Sequence, residues 1–283
     1  MVVGPFSAIA LDVDGTLVDA AGVMPASAAS AVRRLTGRGV AAVLATARGP
    51  AGLRSVLDEL RRPLWMVAYQ GALVARLPST GGLSVLAETT LQLDTAQDVV
   101  RLCRRRGVTV GWYDRDGWWA EALTEAAAEE ARATGDQPRL VQDLLAVVTP
   151  PHKLLVMATF ADAGLLDEVA ARVPEPVRAV RSQVRYLEVV APSVDKATGL
   201  RLVAEDLRIP GKAFVAVGDG ENDVDMFRFA GYSAAMATAP VSVQKAADAV
   251  IGAASADGLA AFIRSLAWTP AEDAPQPGGG GSS

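Results

Sequence analysis

Cysteine and histidine are almost absent from this 283-residue chain: Cys103 stands alone, and so does His152. A single cysteine excludes a disulfide framework and a cysteine-based zinc site, and it suits a reducing, cytoplasmic setting. A single imidazole leaves only His152 to serve a Ser-His-Asp hydrolase or a histidine metal centre. Its place between Pro150-Pro151 and an apolar run reads as a loop position rather than a catalytic one. Basic charge is scarce too. The formal net charge is -5, and the one basic run, Arg104-Arg105-Arg106, ends a segment of helical periodicity, where cations complement the helix dipole. No nucleic-acid partner is expected from such a balance. No apolar run approaches the ~20 residues that a membrane span requires, so no membrane partner is expected either. The apolar start has no basic leader and no small-residue cleavage site, which argues against a signal peptide.

What the chain has in quantity is hydrophobic material, 51% of its residues, enough for one large or two modest domains. Its short apolar runs end abruptly in polar groups. Residues 8–11 lead straight into Asp12-Val13-Asp14-Gly15-Thr16-Leu17. Such a run reads as a buried parallel strand that delivers two carboxylates to its C-terminal edge, where open α/β sheets place their ligands. Asp12 and Asp14, two apart, share a face of a straight strand, and Gly15 permits a sharp turn after them. Carboxylates so close repel. A divalent metal can keep one ionised and nucleophilic while the other carries a proton to a leaving oxygen, a division that suits phosphoryl transfer.

Further runs end in the same way. Residues 40–45 stop at Thr46-Ala47-Arg48-Gly49-Pro50, where a hydroxyl and a following helix N-terminus can face an anion. Residues 64–69 stop at Gln70-Gly71-Ala72, and residues 213–218 stop at Asp219-Gly220-Glu221-Asn222-Asp223. Lys196 opens a helix over 197–207, with Ser193 or Asp195 as its N-cap. A cation there opposes the helix dipole, a cost that calls for a partner.

These segments, in this order, resemble the motifs of the haloacid dehalogenase superfamily of phosphotransferases, and of its Cof-like branch in particular. Asp12-Val13-Asp14-Gly15-Thr16-Leu17 is similar to the first motif, Thr46 to the second, Lys196 to the third, and Gly218-Asp219-Gly220-Glu221-Asn222-Asp223 to the fourth. Two positions depart from the branch: Ala47 replaces the glycine of Thr-Gly-Arg, and Gln70 replaces the asparagine of Asn-Gly-Ala. The resemblance covers nearly the whole chain to about Trp268.

It implies an α/β fold, a Rossmann-like parallel-sheet core with an inserted α+β cap. The expected division is core over 1–76, cap over 77–189, core again over 190–268, and a tail over 269–283 that lies outside the fold and ends in a flexible linker. The implied activity is a Mg²⁺-dependent phosphomonoesterase acting on a small phosphate ester, a sugar phosphate or a phosphorylated cofactor. Asp12 is the expected nucleophile, and Asp14 the acid and base. Thr46 and Lys196 hold the phosphoryl oxygens, Asp12, Asp14, Asp219 and Asp223 hold the metal, and Gly15, Ala47, Arg48, Gln70, Lys196 and Asn222 lie on the substrate side. In the cap, Trp112, Tyr113, Trp118 and Trp119 read as sheet packing, and the turn 114–117 as a substrate-facing edge. A phosphomannomutase-like sugar phosphomutase and a catalytically silent ligand-binding homologue are the competing readings.

Overall fold

Strands that are apolar on both faces need cover on both sides, so the runs described above call for a sheet flanked by helices. The computed structural model describes residues 4–78 and 82–271. The chain begins with β1 (Ala8–Leu11), α1 (Ala26–Thr36), β2 (Ala41–Ala45), α2 (Arg54–Leu60), β3 (Leu64–Ala68), β4 (Leu73–Leu77) and β5 (Ser84–Glu88). A middle part follows with α3 (Leu93–Arg106), β6 (Thr109–Asp114), β7 (Gly117–Ala120), α4 (Glu125–Thr134) and β8 (Arg139–Leu140). It continues through β9 (Lys153–Met157), α5 (Leu165–Ala170), β10 (Arg178–Gln183) and β11 (Tyr186–Val190). The last part holds α6 (Lys196–Leu207), β12 (Phe214–Gly218), α7 (Val224–Phe229), β13 (Tyr232–Met236), α8 (Val241–Ala246), β14 (Ala249–Ile251) and α9 (Gly258–Ser265). Among the described residues no helix is long and apolar enough to cross a membrane.

The first and last parts share an 8-stranded sheet in the order β14-β13-β12-β1-β2-β3-β4-β5, parallel from β14 to β3 and finished by antiparallel β4 and β5. Alternate side chains go to opposite faces. Ile9 and Leu11 pack with Val32, Leu60 and Ile263 from α1, α2 and α9, while Ala8 and Ala10 pack with Leu200, Met226 and Val243 from α6, α7 and α8. With both faces covered, polar groups can gather only at the strand ends. Register then decides which ends meet: Leu11 lies beside Leu44 on one side and Val217 on the other, so the segments after β1, β2 and β12 emerge together.

The middle part forms a 6-stranded sheet, β10-β11-β9-β6-β7-β8, antiparallel except for the β7–β8 pair. Helices α3 and α5 cover one face, where Val99, Cys103 and Val169 pack on Trp112, Leu154 and Val189. From the other face Tyr113, Leu155, Met157 and Tyr186 join the apolar cluster of the larger sheet. Trp112 and Trp118 are fully buried, and Trp118 stacks on Tyr113 at 5.3 Å, so these rings are packing residues.

Three expectations are corrected. An insertion beginning at 77 divides β4 from β5, yet Leu73 to Arg76 pair with Glu88 to Ser84, so β5 is an edge strand of the larger sheet and the chain leaves that sheet after Glu88. The tail begins later than 269: Thr269 N donates to Phe6 O, Ala271 N donates to Gly39 O, and Ala271 is buried. Backbone groups at the sheet end recruit these residues; residues 272–283, most of the expected tail, lie outside the described residues. The turn at 114–117 is absent from the cavity lining. Its Asp114 is buried and occupied by Trp119 Nε1 at 2.8 Å and Asp116 N at 2.9 Å, which fixes the hairpin.

Candidate active site

Asp12 is the first residue past β1, and its amide donates to Val217 O of β12 at 2.9 Å. The chain turns back immediately, with Gly15 N donating to Val18 O. Gly15 has φ +81, and a Cβ there would stand 2.1 Å from Asp219 Oδ2, so only glycine lets the two loops approach this closely. At the end of β12 the backbone amides of Asp219 and Gly220 both donate to Asp223 Oδ2 at 2.9 Å, folding the loop so that Asp219 and Asp223 face Asp12. One oxygen from each of these carboxylates lies within 4.8 Å of the others.

Lys196 reaches this cluster from the first turn of α6, whose N-cap Asp195 accepts from Thr198 N at 2.6 Å. Its ammonium is buried and donates to Asp12 Oδ1 and Asp223 Oδ1, both at 2.6 Å. Burial works against the lysine charge, but the two carboxylates outweigh it and hold its pKa above the ordinary value. This resolves the opposed helix dipole. Desolvating these charges costs several kcal/mol per ion, and apolar residues would fill the same space at less cost, so the cluster is retained for something other than stability. The carboxylates stay in surplus. Burial, followed by Asp223, Asp219 and Asp14, drives the Asp12 pKa well up against the pull of Lys196. Burial and Asp223 push Asp219 up to about 6. Three hard oxygen donors around a deficit of positive charge fit a divalent cation.

Asp14 lies outside this group of three side-chain carboxylates: Arg48 grips it through two nitrogens, Nε to Oδ2 at 2.9 Å and Nη2 to Oδ1 at 2.6 Å. The Arg48 guanidinium also donates to Gly52 O at 2.9 Å and is itself buried. The Asp14 side chain keeps 40% exposure against 9% for Asp12, so the two carboxylates have different access to solvent.

The remaining expected residues divide into an inner and an outer set. Asp12, Asp14, Gly15, Ala47, Arg48, Asp219 and Asn222 line a cavity of roughly 940 Å³ between the two sheets. Thr46, Gln70, Lys196 and Asp223 are buried behind that lining. Thr46 Oγ1 accepts from Arg48 N at 3.1 Å, which leaves its own proton for another oxygen. Gln70 Oε1 accepts from Asn222 Nδ2 at 3.0 Å, while the buried Gln70 Nε2 has no hydrogen-bond partner among the described residues. Gln70 has φ 62 and Tyr69 φ 51, a left-handed pair in which asparagine is the easier occupant of the second position. His152 is buried outside the cluster, stacked on Tyr69 at 5.3 Å with Nε2 2.9 Å from Glu88 Oε1.

The far wall of the cavity belongs to the second sheet and to α4 and went unnoticed in the sequence. Lys153, Glu188, Glu130, Ser182 and Tyr186 all line it. Lys153 Nζ and Glu188 Oε2 form a buried pair at 2.8 Å, Ser182 Oγ donates to Glu188 Oε1 at 3.0 Å, and Tyr113 OH donates to Glu130 at 3.0 Å. Burial pushes the Glu130 carboxyl up. A signal was present: Lys153 and Glu188 are lone charges inside otherwise apolar strand segments, and a buried charge demands a partner.

Comparison with known proteins agrees with this arrangement. A family model described as haloacid dehalogenase-like hydrolase matches residues 9–263. A phosphoglycolate phosphatase from Halorubrum lacusprofundi is 30% identical over 260 residues, covering 91% of this chain and 96% of that protein. The crystal structure of a haloacid dehalogenase-like hydrolase from Bacteroides thetaiotaomicron superposes with a TM-score of 0.82 at 26% identity, over 92% of this chain and 99% of the other. A structure described as a subclass IIB sugar phosphatase shares the fold at 20% identity, with a TM-score of 0.77 over 91% of this chain and 98% of its own.

Proposed function

This chain belongs to the haloacid dehalogenase-like hydrolases and is a phosphatase of that family, and from this premise we propose that it is a Mg²⁺-dependent phosphomonoesterase working through an aspartyl-phosphate. The observation that carries the reading is the buried Asp12 carboxylate, held by Lys196 within a set of three carboxylates that this one cation leaves two negative charges short of balance. Asp12, Asp219 and Asp223 would hold the cation. Bound there, a hard divalent ion supplies charge neutralisation for the anionic phosphoryl group.

The chain's own groups account for each bond. An Asp12 carboxylate oxygen attacks phosphorus, and the bond from phosphorus to the leaving oxygen breaks with its electron pair on that oxygen. Asp14, the more exposed carboxyl, donates a proton there, so an alcohol leaves. Water then attacks the phosphorus of the acyl phosphate and gives a proton to the Asp14 carboxylate, releasing inorganic phosphate and restoring both aspartates. Thr46 and Lys196 present donors to the phosphoryl oxygens as charge moves onto them.

The polar second-sheet wall supports a small phosphorylated metabolite as substrate, either a sugar phosphate or a phosphorylated cofactor, because its hydroxyls and carboxyls can pair with the hydroxyls of a leaving group. The single buried Cys103 supports a cytoplasmic setting. Release of inorganic phosphate from a panel of sugar, nucleotide and cofactor monophosphates, with and without Mg²⁺, tests the reading. Metal-dependent release is expected. Interconversion of sugar monophosphates that requires a bisphosphate activator and frees no phosphate would replace hydrolysis with mutase chemistry.

A further inference from the structure

The carbonyl groups of Thr46, Ala47 and Arg48, in the segment that follows β2, each have a different anchor. Thr46 O accepts from Gln70 N at 3.0 Å, and Arg48 O accepts from Tyr69 N at 3.2 Å, both within the larger sheet's own loops. Ala47 O, the middle one, accepts from Lys153 Nζ at 2.9 Å, and Lys153 opens β9 of the second sheet. That donor is itself fixed. Its ammonium pairs with Glu188 at 2.8 Å, lies 4.5 Å from the Tyr113 ring centre, and is almost wholly buried. The peptide it grips leads directly into Arg48, whose fork holds both oxygens of Asp14.

We propose that Lys153 is a positioning residue, which through the Ala47 carbonyl holds the Arg48–Asp14 fork in line for proton transfer and so makes that step depend on the second sheet being seated on the core. The inference rests on the phosphatase reading. A buried ion pair serving packing alone would be matched or bettered by apolar residues of similar volume. The pair instead spends its third contact on a catalytic loop 106 residues away in sequence. Lys153 touches neither phosphorus nor the leaving oxygen in this scheme. Its effect therefore falls on the half of the reaction that needs a proton.

Leaving-group dependence isolates that half. An alkyl phosphate needs its departing oxygen protonated, whereas p-nitrophenyl phosphate expels a stable phenolate unaided. Two variants of the full chain are compared with the parent: Lys153→Met, and Lys153→Met with Glu188→Gln, which leaves no orphan charge. Steady-state kinetics use a series of para-substituted phenyl phosphates, alike in shape against the wall and graded in the pKa of the leaving phenol. Both variants should lose kcat across the series and lose more the poorer the leaving group, by about tenfold more on phenyl phosphate than on p-nitrophenyl phosphate, so that log kcat falls more steeply with leaving-group pKa than in the parent. In parallel, amide hydrogen exchange of peptides covering 44–53 should quicken in both variants. Equal losses across the series, or no loss on any member, overturn the proposal. Unchanged exchange over 44–53 also overturns it, by showing that the loop does not depend on Lys153. Failure of the parent itself to release phosphate from any ester would instead defeat the phosphatase reading, and exchange alone would then judge the link between Lys153 and the loop.

Discussion

The two sheets handle polar groups in opposite ways. In the larger one, strands run parallel, helices cover both faces, and every strand from β12 to β3 is buried along its whole length, so charge collects at one edge. In the smaller one, strands run antiparallel except for the β7–β8 pair, α3 and α5 cover one face, and the other face, packed in part by α4, carries Lys153, Glu188 and Tyr186 into the cavity. An edge holds groups through backbone turns, which tolerate little change. A face holds them through side chains on alternate strand positions, which can vary one at a time. The first arrangement suits a fixed phosphoryl-transfer centre, and the second suits a wall that selects the leaving group.

If this division is right, damage to the edge abolishes turnover whatever the ester. Asp12→Asn should lower kcat by on the order of 10⁴-fold or more on every substrate, measured by phosphate release. A loss confined to some esters would blur the two roles. Lys196→Met removes the cation shared by Asp12 and Asp223, and leaving those charges buried should cost about 3–5 kcal/mol in denaturant unfolding without metal. Added Mg²⁺ should recover part of that loss, because it supplies the missing charge.

Proton competition gives a smaller and graded effect at the edge. Asp219, pushed up to about 6, must lose its proton to take a cation, so Mg²⁺ affinity should fall as pH drops through about 6. Titration calorimetry at several pH values should show this, with protons released on binding. In the metal-free protein the sign for stability is opposite. The folded state binds more protons than the unfolded one between the ordinary carboxylate value and about 6, so this contribution is present at low pH and is lost as pH rises through that window.

Changes on the facing wall should be smaller again, and selective. Ser182→Ala or Tyr186→Phe should shift kcat/KM for the preferred ester by about 1 kcal/mol, roughly fivefold, the worth of one hydrogen bond, while acetyl phosphate turnover stays level. Similar losses on both substrates would place chemistry on the wall as well. The mildest change expected is Gln70→Asn, which eases a left-handed backbone position by a few tenths of a kcal/mol and surrenders the contact to Asn222.

Much of the edge was legible in the sequence because it is written in local terms. An apolar run ending in Asp12-Val13-Asp14-Gly15 or in Gly218-Asp219 states both the strand and the group it delivers. The lysine opposed to its helix dipole announced a missing partner, and Asp12 with Asp223 is that partner. What escaped was set by register or by distance. Nothing local says that β5 returns to pair with β4, or that Thr269 and Ala271 find Phe6 and Gly39. The grip of Arg48 on Asp14 joins residues 34 apart, so no local pattern announces it. Lys153 looked like the start of a strand, which it is, and its reach to Ala47 appears only when the two sheets meet.

The central claim is that Asp12 carries the phosphoryl group between ester and water. Acid quench of the enzyme during turnover of a reactive ester in Mg²⁺, followed by peptide mapping, addresses it directly. The account predicts one phosphoryl group on the peptide bearing Asp12, formed and lost at rates that match turnover, and absent in Asp12→Asn. Phosphate release at full rate with that peptide unmodified throughout would contradict it.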